Sequence, residues 1–341
     1  MNIKRVGIDL AKLVFQVHGV DYQDKVLLRK QLRRNQLLSF FAKISPCLIG
    51  MEACGGAHHW ARELQKQGHT VKLIAPQFVR PYVKSNKNDA NDAEAICEAV
   101  GRPSMRFVTI KTIAQQDLQA IHRIRSELVR QRTAKANQIR GLLTEYGLVV
   151  GRHVHTLRRA LPGLLEDADN GLSFDFRALL DGLWKDLIAF DERVAEMDKK
   201  VHTMAQNEPA AKRLLSIPGI GPINATAIIC AVGDGKQFKR GRDMAAWLGL
   251  TPKQHSSGGK DRLLGISKRG DTYLRTLLIH GARSALQAID KKTDPRSQWL
   301  QNLCCKRHKN VAAVALANKN ARIAWALLTK ETDYLPEGRP A

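Results

Sequence analysis

Four carboxylates in the first hundred residues are placed where they could do chemistry together. Asp9 closes the short apolar segment that begins at Ile3, and Glu52 closes a second one, Cys47 to Met51. Asp89 and Asp92 lie three apart in Asn88-Asp89-Ala90-Asn91-Asp92-Ala93, a spacing that puts both on one face of a helix. That face belongs to a first turn, where the helix dipole favours anions. Four carboxylates gathered without counter-charge would repel one another. A divalent cation relieves this, and hard oxygen donors suit Mg2+, with Mn2+ as the alternative. Two such ions roughly 3.5–4 Å apart can activate a nucleophile and stabilise a leaving oxygen in phosphoryl transfer. Taken singly, an Asp after a strand is usually a turn residue and an Asp at a helix start usually a cap. The set, in this order, points to a metal nuclease centre.

A second constellation lies in the last third of the chain. Leu214 to Pro222 reads Leu-Leu-Ser-Ile-Pro-Gly-Ile-Gly-Pro and precedes an apolar helical run. This is a helix-hairpin-helix signature, in which Gly219 and Gly221 would let backbone N–H groups approach a phosphate. The competing reading is a tight turn between packed helices. Downstream, Ser256 and Ser257 precede Gly258-Gly259 among Lys253, Lys260, Lys268 and Arg269. A serine can attack a phosphodiester if it is deprotonated and the phosphate charge is offset. The four cations are candidate phosphate contacts. From residue types alone a solvated loop explains the same stretch, and either serine could be the nucleophile.

The elements that must position these residues can be read from periodicity. Segments 3–9, 14–20, 25–32, 47–51 and 71–75 read as strands, and 35–44 and 57–67 as helices. Three strands, helix, strand, helix, strand is the order of an RNase H-like α/β domain. In such a sheet the strands ending at Asp9 and Glu52 are neighbours. A helix from Asp89 to about residue 99 would carry the other two carboxylates. Residues 112–145 form a basic helix. Residues 174–204 form an amphipathic one with a nine-member apolar stripe, from Phe176 to Val201, suited to a coiled coil. The stripe is expected to mediate subunit contact, with an intramolecular hairpin against 112–145 as the alternative. Pro162-Gly163 and Glu208-Pro209 are expected breaks. The fold class is thus α/β plus α, in three parts: 1–155 a catalytic domain with a basic helical extension, 156–208 a helical connector, and 209–330 a mostly helical domain, followed by a tail over 331–341.

Charge narrows the partner. The 341 residues carry 55 Lys and Arg against 32 Asp and Glu, a formal net charge of +23. Net charge is +9 over 101–160 and +7 over 236–275, but −4 over 161–215. Two basic regions separated by an acidic one favour a polyanion such as DNA or RNA. No stretch approaches the roughly 18–20 apolar residues of a membrane span, so no membrane role is expected. The charged start of the chain lacks the apolar core of a signal peptide. Six cysteines without a C-x-x-C pair fit reduced thiols and a cytoplasmic setting rather than a zinc ribbon or a disulfide scaffold.

Five motifs in order now carry a resemblance. Val-Gly-Ile-Asp9-Leu-Ala-Lys, Gly-Met-Glu52-Ala-Cys-Gly, Lys87-Asn-Asp89-Ala-Asn-Asp92-Ala, Ser-Ile-Pro-Gly-Ile-Gly and Leu-Gly-Leu-Thr-Pro…Ser257-Gly-Gly resemble those of the DEDD transposases of bacterial insertion sequences. This is the IS110 family, with its IS1111 branch favoured by His308 to Leu328, and the likeness runs from about residue 3 to 330. It implies a RuvC-like, RNase H-type N-terminal domain, a coiled-coil connector and a C-terminal transposase domain. Asp9, Glu52, Asp89 and Asp92 take the metal positions, and Ser257 takes the nucleophilic serine position. The resemblance further implies donor and target DNA as substrates and a phosphoserine intermediate. It implies a structured guide RNA encoded by the element, and a homo-oligomer, dimer to tetramer, acting at the bacterial nucleoid. Two other readings stand beside this one: a metal-only junction resolvase in which Ser257 merely contacts phosphate, and a non-catalytic nucleic-acid-binding protein.

Overall fold

The computed structural model describes residues 2–84 and 88–335. Lys87 of the third motif and the tail beyond Leu335 lie outside the described residues. The chain divides into two compact units at Ala114/Gln115. The basic helix assigned above to a 1–155 domain therefore groups with the second unit.

The first unit is a mixed α/β sheet. Its strands are β1 (Arg5–Leu10), β2 (Val14–Val20) and β3 (Val26–Arg33), then, after the short helix α1 (Leu37–Phe41), β4 (Leu48–Glu52). Helix α2 (Ala57–Lys66), β5 (Thr70–Ile74), α3 (Pro76–Val79), α4 (Asp89–Val100) and β6 (Phe107–Val108) follow. The sheet order is β3-β2-β1-β4-β5-β6. Strands β1, β2 and β3 pair antiparallel, β1–β4 and β4–β5 pair parallel, and β6 adds antiparallel to β5. Strand alternation sorts the side chains. Val6, Ile8, Ile49 and Met51 enter one core with Phe15, Leu37, Phe41, Trp60 and Leu64 of the α1/α2 side. Their neighbours Gly7 and Gly50 face α4, whose Ile96, Ala99 and Val100 build a second cluster with Ile74 and Val79.

The second unit begins with a long antiparallel helix pair, α5 (Ile113–Glu145) and α7 (Phe174–Asn207), closed at one end by α6 (Val154–Glu166). Ala136, Ile139 and Leu143 of α5 share a core with Leu157 and Leu161 of α6 and with Phe176, Leu180 and Leu187 of α7. Ion pairs run along the seam: Arg125–Asp198, Arg132–Asp191 at 3.1 Å and Lys135–Asp186 at 3.0 Å. Much of the apolar stripe of 174–204 is thus used inside the chain, the hairpin alternative, while Leu179 stays 67% exposed. Acids of 174–204 supply counter-charge to the basic helix. Pro162 and Gly163 lie inside α6 and do not break it, because Leu157 and Leu161 before that point and Leu164 and Leu165 after it pack on one core.

The rest is a mostly helical bundle: α8 (Pro209–Leu215), α9 (Pro222–Val232), α10 (Gly241–Trp247), α11 (Thr272–Leu286), α12 (Pro295–Lys306) and α13 (Lys309–Lys330). The expected break at Glu208-Pro209 separates α7 from α8. The sequence reading did not foresee one feature, a two-stranded hairpin of β7 (Pro252–Gln254) and β8 (Leu263–Ile266) between α10 and α11. His122 of α5 ties its helix to the bundle: its Nε2 lies 3.0 Å from Thr226 Oγ1 and its Nδ1 3.0 Å from the Tyr273 hydroxyl. Thr226 spends its own proton on the Pro222 carbonyl at 2.7 Å, so Nε2 carries the ring hydrogen and Nδ1 accepts from Tyr273.

Candidate carboxylate centre and serine hairpin

The positions of the four carboxylates follow from two glycines. Gly7 and Gly50 are register partners across β1 and β4. A Cβ at Gly7 would lie 2.2 Å from the Ala93 carbonyl oxygen and 2.3 Å from the Cys97 nitrogen, and one at Gly50 would lie 2.7 Å from Val100. Helix α4 therefore rests on bare backbone. Asp9 and Glu52 come two residues after these glycines, so alternation puts both on the face that α4 covers. The helix runs against β1: Arg5 Nε donates to the Cys97 carbonyl at 3.0 Å, and Gly7 meets Ala93. Two residues further along β1, Asp9 comes abreast of the first turn of α4, which carries Asp89 and Asp92.

Asn88 caps that helix, accepting the Ala90 N–H at 2.9 Å. The capping role is thereby filled by a neutral side chain, and neither aspartate is consumed by it. Asp89 is exposed and Asp92 half-buried. Asp9 and Glu52 are half-buried and share a neighbour, the Cys54 thiol. Burial pushes that thiol above its ordinary value, and the negative charges of Glu52 and Asp9 push it further in the same direction. Among the described residues, no three His, Cys, Asp or Glu side chains gather closely enough to hold a metal ion. The structure thus brings Asp9 and Glu52 together and sets the α4 pair beside them without closing a preformed cage. The donor chemistry, all carboxylate oxygen, suits a hard divalent cation.

The serines stand on the second unit. Gly258 and Gly259 have φ of 55° and 75°, the left-handed pair that a tight hairpin turn demands. Ser257 and Lys260 bridge across that turn, with the Lys260 N–H donating to the Ser257 carbonyl at 3.1 Å. The two hydroxyls differ. Gln254 Nε2 donates to Ser256 Oγ at 2.9 Å and to Asp261 at 3.2 Å, whereas Ser257 Oγ has no hydrogen-bond partner among the described residues. Lys253, Lys260, Lys268 and Arg269 are exposed. Arg275, itself buried, holds the end of this region by donating to the Arg269 and Leu248 carbonyls, each at 3.1 Å.

The Ser216–Gly221 turn joins α8 to α9 as the sequence suggested, but Gly219 is turned inward. Its Cα face lies against Gly281 of α11, where an added Cβ would meet a backbone oxygen at 2.7 Å. The Pro218 carbonyl accepts from Arg296 at 2.7 Å and from Asn320 at 3.1 Å. Gly221 is exposed, with nothing within 4 Å of its Cβ position.

Residues 6–148 match the DEDD family of IS110 elements described as Transposase, and residues 211–298 match the family described as Transposase IS116/IS110/IS902. The chain is 54% identical over 337 residues to a probable family 20 transposase of Pseudomonas aeruginosa, covering 98% of this chain and 100% of the relative. It is 48% identical to the transposase for insertion sequence element IS1111A of Coxiella burnetii, covering 98% and 92%. It is 44% identical to the transposase for insertion sequence element IS1328 of Yersinia enterocolitica, covering 98% and 99%. The chain belongs to the IS110 family of insertion-sequence transposases.

The first of the two matched segments of this transposase contains all four carboxylates, and the second contains the Ser216–Gly221 turn and the serine hairpin. No described helix of the transposase is long and apolar enough to cross a membrane, and all six cysteines are free. Sequence reasoning missed Gly7, Gly50 and Asn88 as positioning residues. The Gly-x-acid pattern, shared by Gly7-Ile8-Asp9 and Gly50-Met51-Glu52, was the available signal. It missed Gln254 as the partner of Ser256, which nothing in the sequence marks.

Proposed function

We propose that this transposase cleaves and exchanges DNA strands in a Mg2+-dependent reaction that passes through a covalent phosphoserine on Ser257. The observation that carries the reading is the pairing of Asp9 and Glu52 at the ends of neighbouring parallel strands, on the face where α4 presents Asp89 and Asp92. This is the arrangement an RNase H-like centre needs, and the strand order agrees with one. Asp9, Glu52, Asp89 and Asp92 would hold the cation, which when bound offsets phosphate charge and favours the alkoxide. The free hydroxyl of Ser257, at the tip of an exposed hairpin among four cations, supports it over Ser256, whose oxygen is engaged by Gln254.

In the chemical step Ser257 Oγ loses its proton and bonds to phosphorus while the phosphodiester's bond to one sugar oxygen breaks, leaving a free hydroxyl end. The new ester keeps the bond energy for rejoining. The DNA contacts assigned to Lys253, Lys260, Lys268, Arg269 and Gly221 belong to this reading, and Gly219 contributes by shaping the turn. Guidance by a structured RNA, a homo-oligomeric assembly and a place at the nucleoid complete it, supported by the family resemblance and the charge of +23.

The test uses a nicked DNA carrying the element's ends. Asp9→Ala, Glu52→Ala, Asp89→Ala and Asp92→Ala should each abolish cleavage, and Ser257→Ala should abolish both cleavage and the protein–DNA adduct. Cleavage at near wild-type rate by Asp9→Ala would sink the metal centre. Cleavage without adduct by Ser257→Ala would leave the metal-only resolvase reading. Cleavage by Ser257→Ala but not by Ser256→Ala would move the nucleophile by one residue.

A further inference from the structure

A groove of about 1620 Å³ opens in the second unit between β8, α10, α12 and α13. It exceeds the ~300–1,000 Å³ of most small-molecule sites, so its size suits a segment of polymer. Along it stand Arg242 of α10 and Lys319 and Arg322 of α13, all exposed and none in an ion pair among the described residues. Lys319 lies with its Nζ 4.7 Å from the Trp299 ring centre. Partial desolvation of its amine against the groove wall, together with the charges of Arg296 and Arg322, holds it below the ordinary lysine value. This is a stretch of uncompensated positive charge. The one acidic residue lining it, Asp333, makes no ion pair among the described residues.

The apolar part of the lining is equally specific. Trp299 is 37% exposed and Leu264 of β8 41% exposed, so an aliphatic wall and a ring with Lys319 over one of its faces both reach solvent. A duplex offers neither free base faces nor a profile that enters a cleft. An acidic peptide satisfies the charges but not the ring. An unpaired nucleotide strand supplies both: phosphates for Arg242, Lys319 and Arg322, and bases for Trp299. The wall strand β8 is the one that returns from the serine turn. Leu264 lies four residues from Lys260, about 13 Å of extended chain.

We propose that this groove seats unpaired nucleotides of the DNA strand adjoining the point of cleavage. That this strand adjoins the cleavage point depends on Ser257 being the nucleophile, whereas the binding itself does not.

The experiment uses full-length protein carrying Ser257→Ala, in EDTA, with a dye-labelled single-stranded DNA oligonucleotide containing 2-aminopurine. Matched duplex DNA and matched RNA serve as the comparison arms. Lys319→Glu with Arg322→Glu should weaken single-strand binding at least tenfold and flatten the log–log salt dependence by about 1.4, the share of two phosphates at ~0.7 each. Trp299→Ala should remove the quenching of 2-aminopurine, and Trp299→Phe should keep it. Lys319→Gln with Arg322→Gln, checked for an unchanged melting curve, separates charge from misfolding and should also weaken binding. Affinity and quenching that survive both the charge and the ring variants would overturn the proposal. So would a dependence on these residues that appears with RNA and not with DNA, or equally with duplex. If the groove variants lose the strand while Ser257→Ala protein still cleaves when Mg2+ is restored, the groove stands and the serine mechanism falls.

Discussion

A methyl group is enough to separate α4 from the sheet. At position 7 it would collide with three backbone atoms that cannot move without the whole helix, whereas at position 50 it meets only the Val100 side chain. Overpacking of this kind costs about 1–3 kcal/mol and occasionally more. Gly7→Ala should fall at or above the upper end of that range and Gly50→Ala nearer the lower, as read from urea denaturation. A Gly7→Ala protein as stable as wild type would mean that α4 does not bear on β1 as described. Because α4 carries Asp89 and Asp92, the same change should remove cleavage even in the folded fraction. Of the candidate site, the carboxylates were legible because acids ending apolar runs are conspicuous. Their supports were not, because glycine and asparagine are ordinary loop residues until a helix is seen lying on them.

Charge organises the long helices. Arg125, Arg132 and Lys135 meet Asp198, Asp191 and Asp186 in antiparallel order, and Asp191 also holds Arg158 at 3.2 Å. Asp191 is the most enclosed of these acids, its side chain 15% exposed. Its removal leaves two arginines short of a partner and should cost about 1.5–3 kcal/mol. Asp198 and Asp186, at 43% and 58%, should cost under about 1 kcal/mol each. Equal losses at the three sites, measured by thermal melting, would contradict the assigned geometry. His122 adds a pH dependence. Burial first, then the Arg125 charge, lowers it from 6.5 to about 4. The unfolded chain thus binds a proton that the folded one refuses between those values, so its contribution is complete above pH 6.5 and is lost as pH falls toward 4. The His122→Gln protein should show a flatter stability profile across that window; an unchanged profile would assign the dependence elsewhere. Most of the elements could be read from periodicity. The stripe of α7 fixed a helix but not its partner, since the same spacing serves an inner or an outer seam. The two-residue β6 is too short to show a period, and the β7–β8 hairpin hid behind serines and glycines read as a solvated loop.

For the whole molecule the excess of positive charge makes ionic strength the controlling variable. If about 8 phosphates are neutralised on duplex DNA, the log–log salt slope should be near −7. A slope shallower than about −2 would mean that the charge serves something other than nucleic acid. The −4 of residues 161–215 does not oppose that binding much, since Asp186, Asp191 and Asp198 are already spent on α5. The spacing of two of those ion pairs also makes the α5–α7 pair a ruler with a fixed graduation. Arg125 to Arg132 is one heptad, and so is Asp198 to Asp191. Lengthening both helices by seven residues would move the α6 end about 10 Å outward and return every cation to an acid. Adding three residues to one helix alone would turn its face by about 300° against its partner and carry its charges away from theirs. The second unit therefore tolerates changes of length in whole heptads, made in both helices at once, and in no smaller step.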